Sequence, residues 1–110
     1  MQRVLAGALL FGVATAAATP SARADEVAYL VNVTVRPGYN FASADAALSY
    51  GHGLCDKVTA GRTYARLIGD IKADFNTADE YQASYLLGQA VNELCPALIW
   101  QLRRSVAKGD

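Results

Sequence analysis

The sequence predicts a small all-α bundle of four or five helices closed by one disulfide. Three observations carry this expectation. Apolar residues recur at steps of three and four through most of the chain after residue 24. Capping residues precede these runs, and glycine or proline follows them. The chain's two cysteines, Cys55 and Cys95, both fall on apolar stripes.

The first 24 residues have the three parts of a secretory signal. Met1-Gln2-Arg3 supplies the positive charge, Val4 to Ala18 is a small and apolar run, and Ala22-Arg23-Ala24 is a small-x-small cleavage site. The apolar run is shorter than the roughly 20 residues a spanning helix needs, and Pro20 and Arg23 follow it. The expectation is cleavage near Ala24, release outside the cell or into its envelope, and no transmembrane segment in the mature chain.

Removing residues 1–24 from 110 leaves 86, which suffices for one domain with a thin core. Arg3 and Arg23 leave with them, so eight basic side chains face ten acidic ones, a net of −2. This mildly acidic surface argues against nucleic acid, which needs a basic stripe. The one basic cluster, Arg103, Arg104 and Lys108, reads as a solvated helix end favoured by the helix dipole.

Residues 25–35 open with two acids and continue through Val27, Leu30 and Val31, with Tyr29 alongside, a spacing that suits a short helix. The β-branched residues Val31, Val33, Thr34 and Val35 favour strand, but a lone strand would have no partner here. Arg36-Pro37-Gly38-Tyr39-Asn40 is a loop. Ser43 caps the next helix, in which Ala47, Leu48, Gly51, Leu54, Cys55 and Val58 form one stripe and Gly61 marks the end.

Thr63 caps a third helix with Tyr64, Leu67, Ile68, Ile71 and Phe75 inward, interrupted at Asn76. Thr77-Ala78-Asp79-Glu80 reads as a capping box with Thr77 at the N-cap. The fourth helix then carries Tyr81, Ser84, Tyr85, Gly88, Val91 and Cys95, and Leu98, Ile99, Leu102 and Val106 continue that stripe beyond Pro96. Pro96 either kinks the helix or starts a new one. Leu86 and Trp100 fall outside the stripe. They are expected either to pack against the first helix or to form a partner-facing patch.

Two cysteines in an exported chain should pair, since oxidation persists outside the cytoplasm. Closing a loop of about 40 residues contributes roughly 4 kcal/mol on the chain-entropy model. Gly51 and Gly88, on the two cysteine-bearing helices, are expected to let those backbones approach for the bond.

These residues resemble a mycobacterial family of small exported proteins, the domain of unknown function 732. The likeness rests on the acidic opening before a short hydrophobic helix (Asp25, Tyr29, Leu30), the Gly-x-x-x-Cys step from Gly51 to Cys55, the glycine at Gly61, and the closing Cys95-Pro96. It spans nearly all of residues 25–102. The resemblance implies a secreted, helical, disulfide-linked domain with no established activity and no catalytic residues to carry over. The tail from Ala97 to Asp110 is longer than the family pattern, so any role confined to it lies outside the likeness.

Few constellations suggest chemistry. Ser49, His52 and Asp56 project from one helical face, the composition of a hydrolase triad, but that face lies opposite the apolar stripe. A triad needs an oxyanion pocket and a cleft. No metal site is expected around His52, because structural zinc needs four clustered ligands. Haem is the sharper alternative: Tyr50, Tyr64, Tyr81 and Tyr85, with His52, could border an apolar cleft for a planar ligand. Tyrosines at helical spacing are more often core residues with hydroxyls at the rim.

The leading expectation is a non-enzymatic, monomeric interaction module of the cell envelope or exterior. It needs no cofactor, and its partner is a protein or an envelope component met through Trp100 and Leu86. A carrier of a small apolar or planar ligand is the alternative. A ligand-sized cavity lined by the tyrosines would favour the carrier; a filled core with an exposed apolar patch would favour the module.

Overall fold

A computed structural model describes residues 25–108, which form five α-helices without strands among the described residues. They are α1 (25–34), α2 (Ala44–Thr59), α3 (Tyr64–Asp74), α4 (Glu80–Leu94) and α5 (Ile99–Lys108), with a 3-10 turn at Pro96–Leu98 before α5. Helix α4 is central, packing against both α2 and α3, and α5 lies against α3. The expected leader and cleavage site, in residues 1–24, lie outside the described residues.

Helix α1 forms as expected but turns a different face inward. Tyr29 and Val33 are fully buried, whereas Val27, Val31 and Val35 are more than half exposed. The reason is Tyr29. Its hydroxyl donates to the Ala47 carbonyl of α2 at 2.8 Å, so rolling α1 this way buries a large ring and satisfies its polar end together. Asn32 then reaches α4, donating from Nδ2 to Gln89 Oε1 at 2.8 Å.

Helix α2 starts at the predicted cap, Ser43 Oγ accepting from Ala46 N–H at 3.0 Å. It buries Ala47, Gly51, Leu54, Cys55 and Val58. Gly61 ends it at φ +94°, a left-handed turn in which Gly61 N–H reaches Val58 and Arg62 N–H reaches Lys57. Helix α3 begins at Thr63, as expected, and buries Leu67, Ile68 and Ile71. It ends the same way, with Asn76 at φ +51° and Thr77 N–H bonded to the Lys72 carbonyl.

That second ending corrects the predicted capping box. Thr77 is committed to closing α3, so Asp79 caps α4, its carboxylate accepting from Tyr81 and Gln82 N–H at 2.9 and 3.2 Å. Thr77 Oγ1 instead accepts from Asp79 N–H at 3.0 Å, and Glu80 pairs with Lys72 at 2.7 Å.

The core face of α4 also differs from the predicted stripe. Ala83, Leu86, Leu87, Ala90 and Val91 are buried, while Tyr81 is 60% exposed. Tyr81 and Tyr85 sit on the flank under Arg36, whose guanidinium lies 5.3 and 4.1 Å from their ring centroids. At Cys95 the backbone leaves helical geometry, and Pro96 opens the short turn where its missing N–H costs nothing. Helix α4 therefore breaks and α5 restarts.

Candidate functional site

Cys55 and Cys95 form the predicted disulfide, with Cα atoms 6.2 Å apart. It ties the middle of α2 to the junction of α4 and α5. The glycines play different parts in this. A β-carbon on Gly51 would stand 2.6 to 2.8 Å from Leu94 and Tyr29, so close approach is real there, but toward α1 and the end of α4. A β-carbon on Gly88 would meet nothing within 4 Å, so Gly88 does not serve the bond.

Leu86 and Trp100, grouped by sequence, separate in space. Leu86 is fully buried in the core and cannot form part of a partner surface. The packing of α4 against α2 and α3 decides this, since Leu86 and Leu87 are both fully buried. Trp100 is 65% exposed on α5, with Arg103 stacked at 5.2 Å from its ring.

The four tyrosines are distributed over three places. Tyr50 joins a cluster with Phe41 and Phe75, at centroid distances of 5.9 and 5.2 Å, and donates its hydroxyl to Asp74 at 2.7 Å. Burial first, then that carboxylate, push the Tyr50 phenol far above its ordinary range. Tyr81 and Tyr85 pair at 6.1 Å beneath Arg36. Tyr64 begins α3, its backbone N–H donating to Ser105 Oγ at 3.0 Å.

Ser49, His52 and Asp56 are all exposed on α2. The imidazole faces α1, with Nε2 3.5 Å from Glu26 Oε2. Among the described residues no three His, Cys, Asp or Glu side chains could jointly hold a metal ion.

Two features escaped sequence reading. Asp70 collects Arg62 through Nε and Nη2 at 2.6 and 2.7 Å, and Lys57 at 3.2 Å. The Arg62 hydrogen bond holds the Asp70 carboxyl below its usual value. Ser105 is a buried hydroxyl between α3 and α5, accepting from Tyr64 and donating to the Leu102 carbonyl at 2.6 Å. Only a serine on the inner side of an amphipathic helix hinted at it.

Two of the surface depressions among the described residues bear on the candidate sites. An open groove of about 460 Å³ runs along α2 from Ala46 through Ser49, Tyr50 and Gly53 to Lys57. A smaller recess of about 190 Å³ lies between α5 and the start of α3, lined by Arg62, Thr63, Gln101, Arg104, Ser105 and Lys108. No described helix is long and apolar enough to cross a membrane.

A family model described as "Protein of unknown function (DUF732)" matches residues 24–97. No curated protein and no solved structure matches the chain.

Proposed function

We propose a function for this chain, which belongs to the DUF732 family of proteins of unknown function: it is an exported, non-enzymatic interaction module that meets its partner through α5. One observation carries the reading. Trp100 is 65% exposed beside a core that already buries Leu54, Leu67, Leu86 and Leu87 fully or nearly so. Tryptophan, with arginine, is among the residues enriched at the energetic centres of recognition surfaces. The leader-like first 24 residues and the disulfide support export.

The carrier reading has less support, because the tyrosines meant to line its cleft occupy separate places. Hydrolysis has less still, since His52 turns to Glu26. The test is affinity capture from envelope extract with the oxidised protein, run beside Trp100→Ala. Loss of a captured component in the variant is expected; identical recoveries would reject α5 as the partner face.

A further inference from the structure

We propose that the outward face of α5 docks this chain on an anionic phospholipid surface, with a lipid phosphate seated in the recess between α5 and the start of α3. The proposal rests on the reading of α5 as the partner face and names the partner's class. At 100° per residue, Trp100 and Ala107 fall at the centre of the exposed face, with Arg103 on one side and Arg104 on the other. Leu98, Leu102 and Ser105 point the opposite way, into the bundle. From Leu94 to Lys108 there are three cations and no carboxylate; the neighbouring acids in sequence are Glu93 and Asp110.

Each part suits a headgroup layer. An indole settles at the level where acyl chains meet headgroups, its apolar body inward and its N–H toward water. Guanidinium groups bond phosphate in a bidentate fork, and Arg103 holds its guanidinium 5.2 Å from the Trp100 ring, at the same level. Arg104 and Lys108, one turn apart on the same edge, both line the recess of about 190 Å³. Arg62, also in that lining, directs two N–H groups to Asp70, which leaves Arg104 and Lys108 as the cations that reach an incoming phosphate.

Charge complementarity and the small apolar area favour a lipid surface over a folded partner. A stable protein interface needs roughly 800 Å² on each side with an apolar centre. Here the apolar part of the face is one indole and the Ala107 methyl, with Val106 off to one side. A fluid layer of anionic headgroups needs no such area, since every cation finds its own phosphate. With no described helix able to span a bilayer, attachment would be peripheral.

The chain has one tryptophan, so its fluorescence reports on this face alone. The oxidised protein, in the form its producing cell yields, is titrated with vesicles of phosphatidylcholine alone and of phosphatidylcholine with phosphatidylglycerol. Expected are a blue shift and co-sedimentation only with the anionic vesicles, both weakened by salt. Arg104→Gln and Lys108→Gln, at exposed positions that leave the core intact, should each lower apparent affinity about five-fold. Equal binding to both vesicles, binding indifferent to salt and to both substitutions, or the same shift with inorganic phosphate would overturn the proposal. If vesicles do not bind while Trp100→Ala still loses a captured protein, the lipid surface is rejected and the module reading stands.

Discussion

The Tyr29 ring closes over the backbone of Gly51, so that a β-carbon at position 51 would stand 2.7 Å from Tyr29 Cζ and 2.8 Å from its hydroxyl oxygen. The ring cannot retreat, because its hydroxyl is bonded to the Ala47 carbonyl one turn earlier on α2. This contact seats α1. Gly51→Ala should therefore destabilise the fold by about 1–3 kcal/mol, the range for overpacking a filled site. Gly88→Ala enters open space within a helix and should stabilise by up to about 1 kcal/mol. Chemical denaturation of the two variants, compared side by side, checks the opposite signs.

The same tyrosine gives the fold an alkaline limit. Burial pushes the Tyr29 phenol up to about 12 from an ordinary value of 10.0. Below pH 10 both folded and unfolded chains hold the proton, and stability is unaffected. Between pH 10 and 12 the unfolded chain releases it first, so stability falls by about 1.4 kcal/mol per pH unit from this group. Tyr50, shifted in the same direction, steepens the fall. Tyr29→Phe should flatten the alkaline arm of the stability profile, measured by thermal unfolding across pH 9 to about 12.

Much of this fold was legible because its decisive features are local. Ser43 and Thr63 cap within their own turn, Gly61 supplies a left-handed residue where α2 must stop, and two cysteines leave one intramolecular pairing. The inward faces of α1 and α4 were not legible. Val27 and Val31 have helical spacing as good as that of Tyr29 and Val33, and only the Ala47 carbonyl, eighteen residues away, breaks the tie. On α4 the tyrosines and leucines form competing stripes. Arg36, from the loop between α1 and α2, covers the tyrosines on the flank and leaves the core to Leu86 and Leu87. Thr77 misled for a related reason: it ends one helix just where the next begins, and the earlier duty prevails. Of the candidate face, Trp100 was visible as an outlier in the stripe, but the recess beside it joins α5 to a loop some forty residues earlier.

Asp70 sets an acid limit through a different part of the fold. Its carboxylate fastens Arg62 and Lys57, pinning the α2–α3 turn to α3. The Arg62 hydrogen bond lowers the folded-state value, so this contribution is present above the unfolded carboxyl value of about 4 and fades as pH falls through the folded one. Asp70→Asn should cost only about 0.5–1 kcal/mol near neutrality, because the partners Arg62 and Lys57 are 37% and 43% exposed and water screens the pair. The variant should also lose less stability than the parent on acidification below pH about 4, which a pH series of denaturation midpoints would reveal.

The disulfide and the exposed tryptophan should part company in their effects on stability. Cys55–Cys95 closes a 40-residue separation that contains all of α3 and all of α4, so opening it releases the loop entropy of the unfolded chain. The double replacement Cys55→Ser with Cys95→Ser should cost roughly 4 kcal/mol, a large share of the 5–15 kcal/mol such a domain has. For its size that corresponds to a fall of about 15–30 °C in Tm. Trp100→Ala removes a side chain that packs on little besides Arg103, so stability should stay within about 0.5 kcal/mol of the parent. Calorimetry of both variants separates the two roles: a large fall in Tm with Trp100→Ala would mean that the indole supports the fold, and α5 would lose its claim to be a free recognition face.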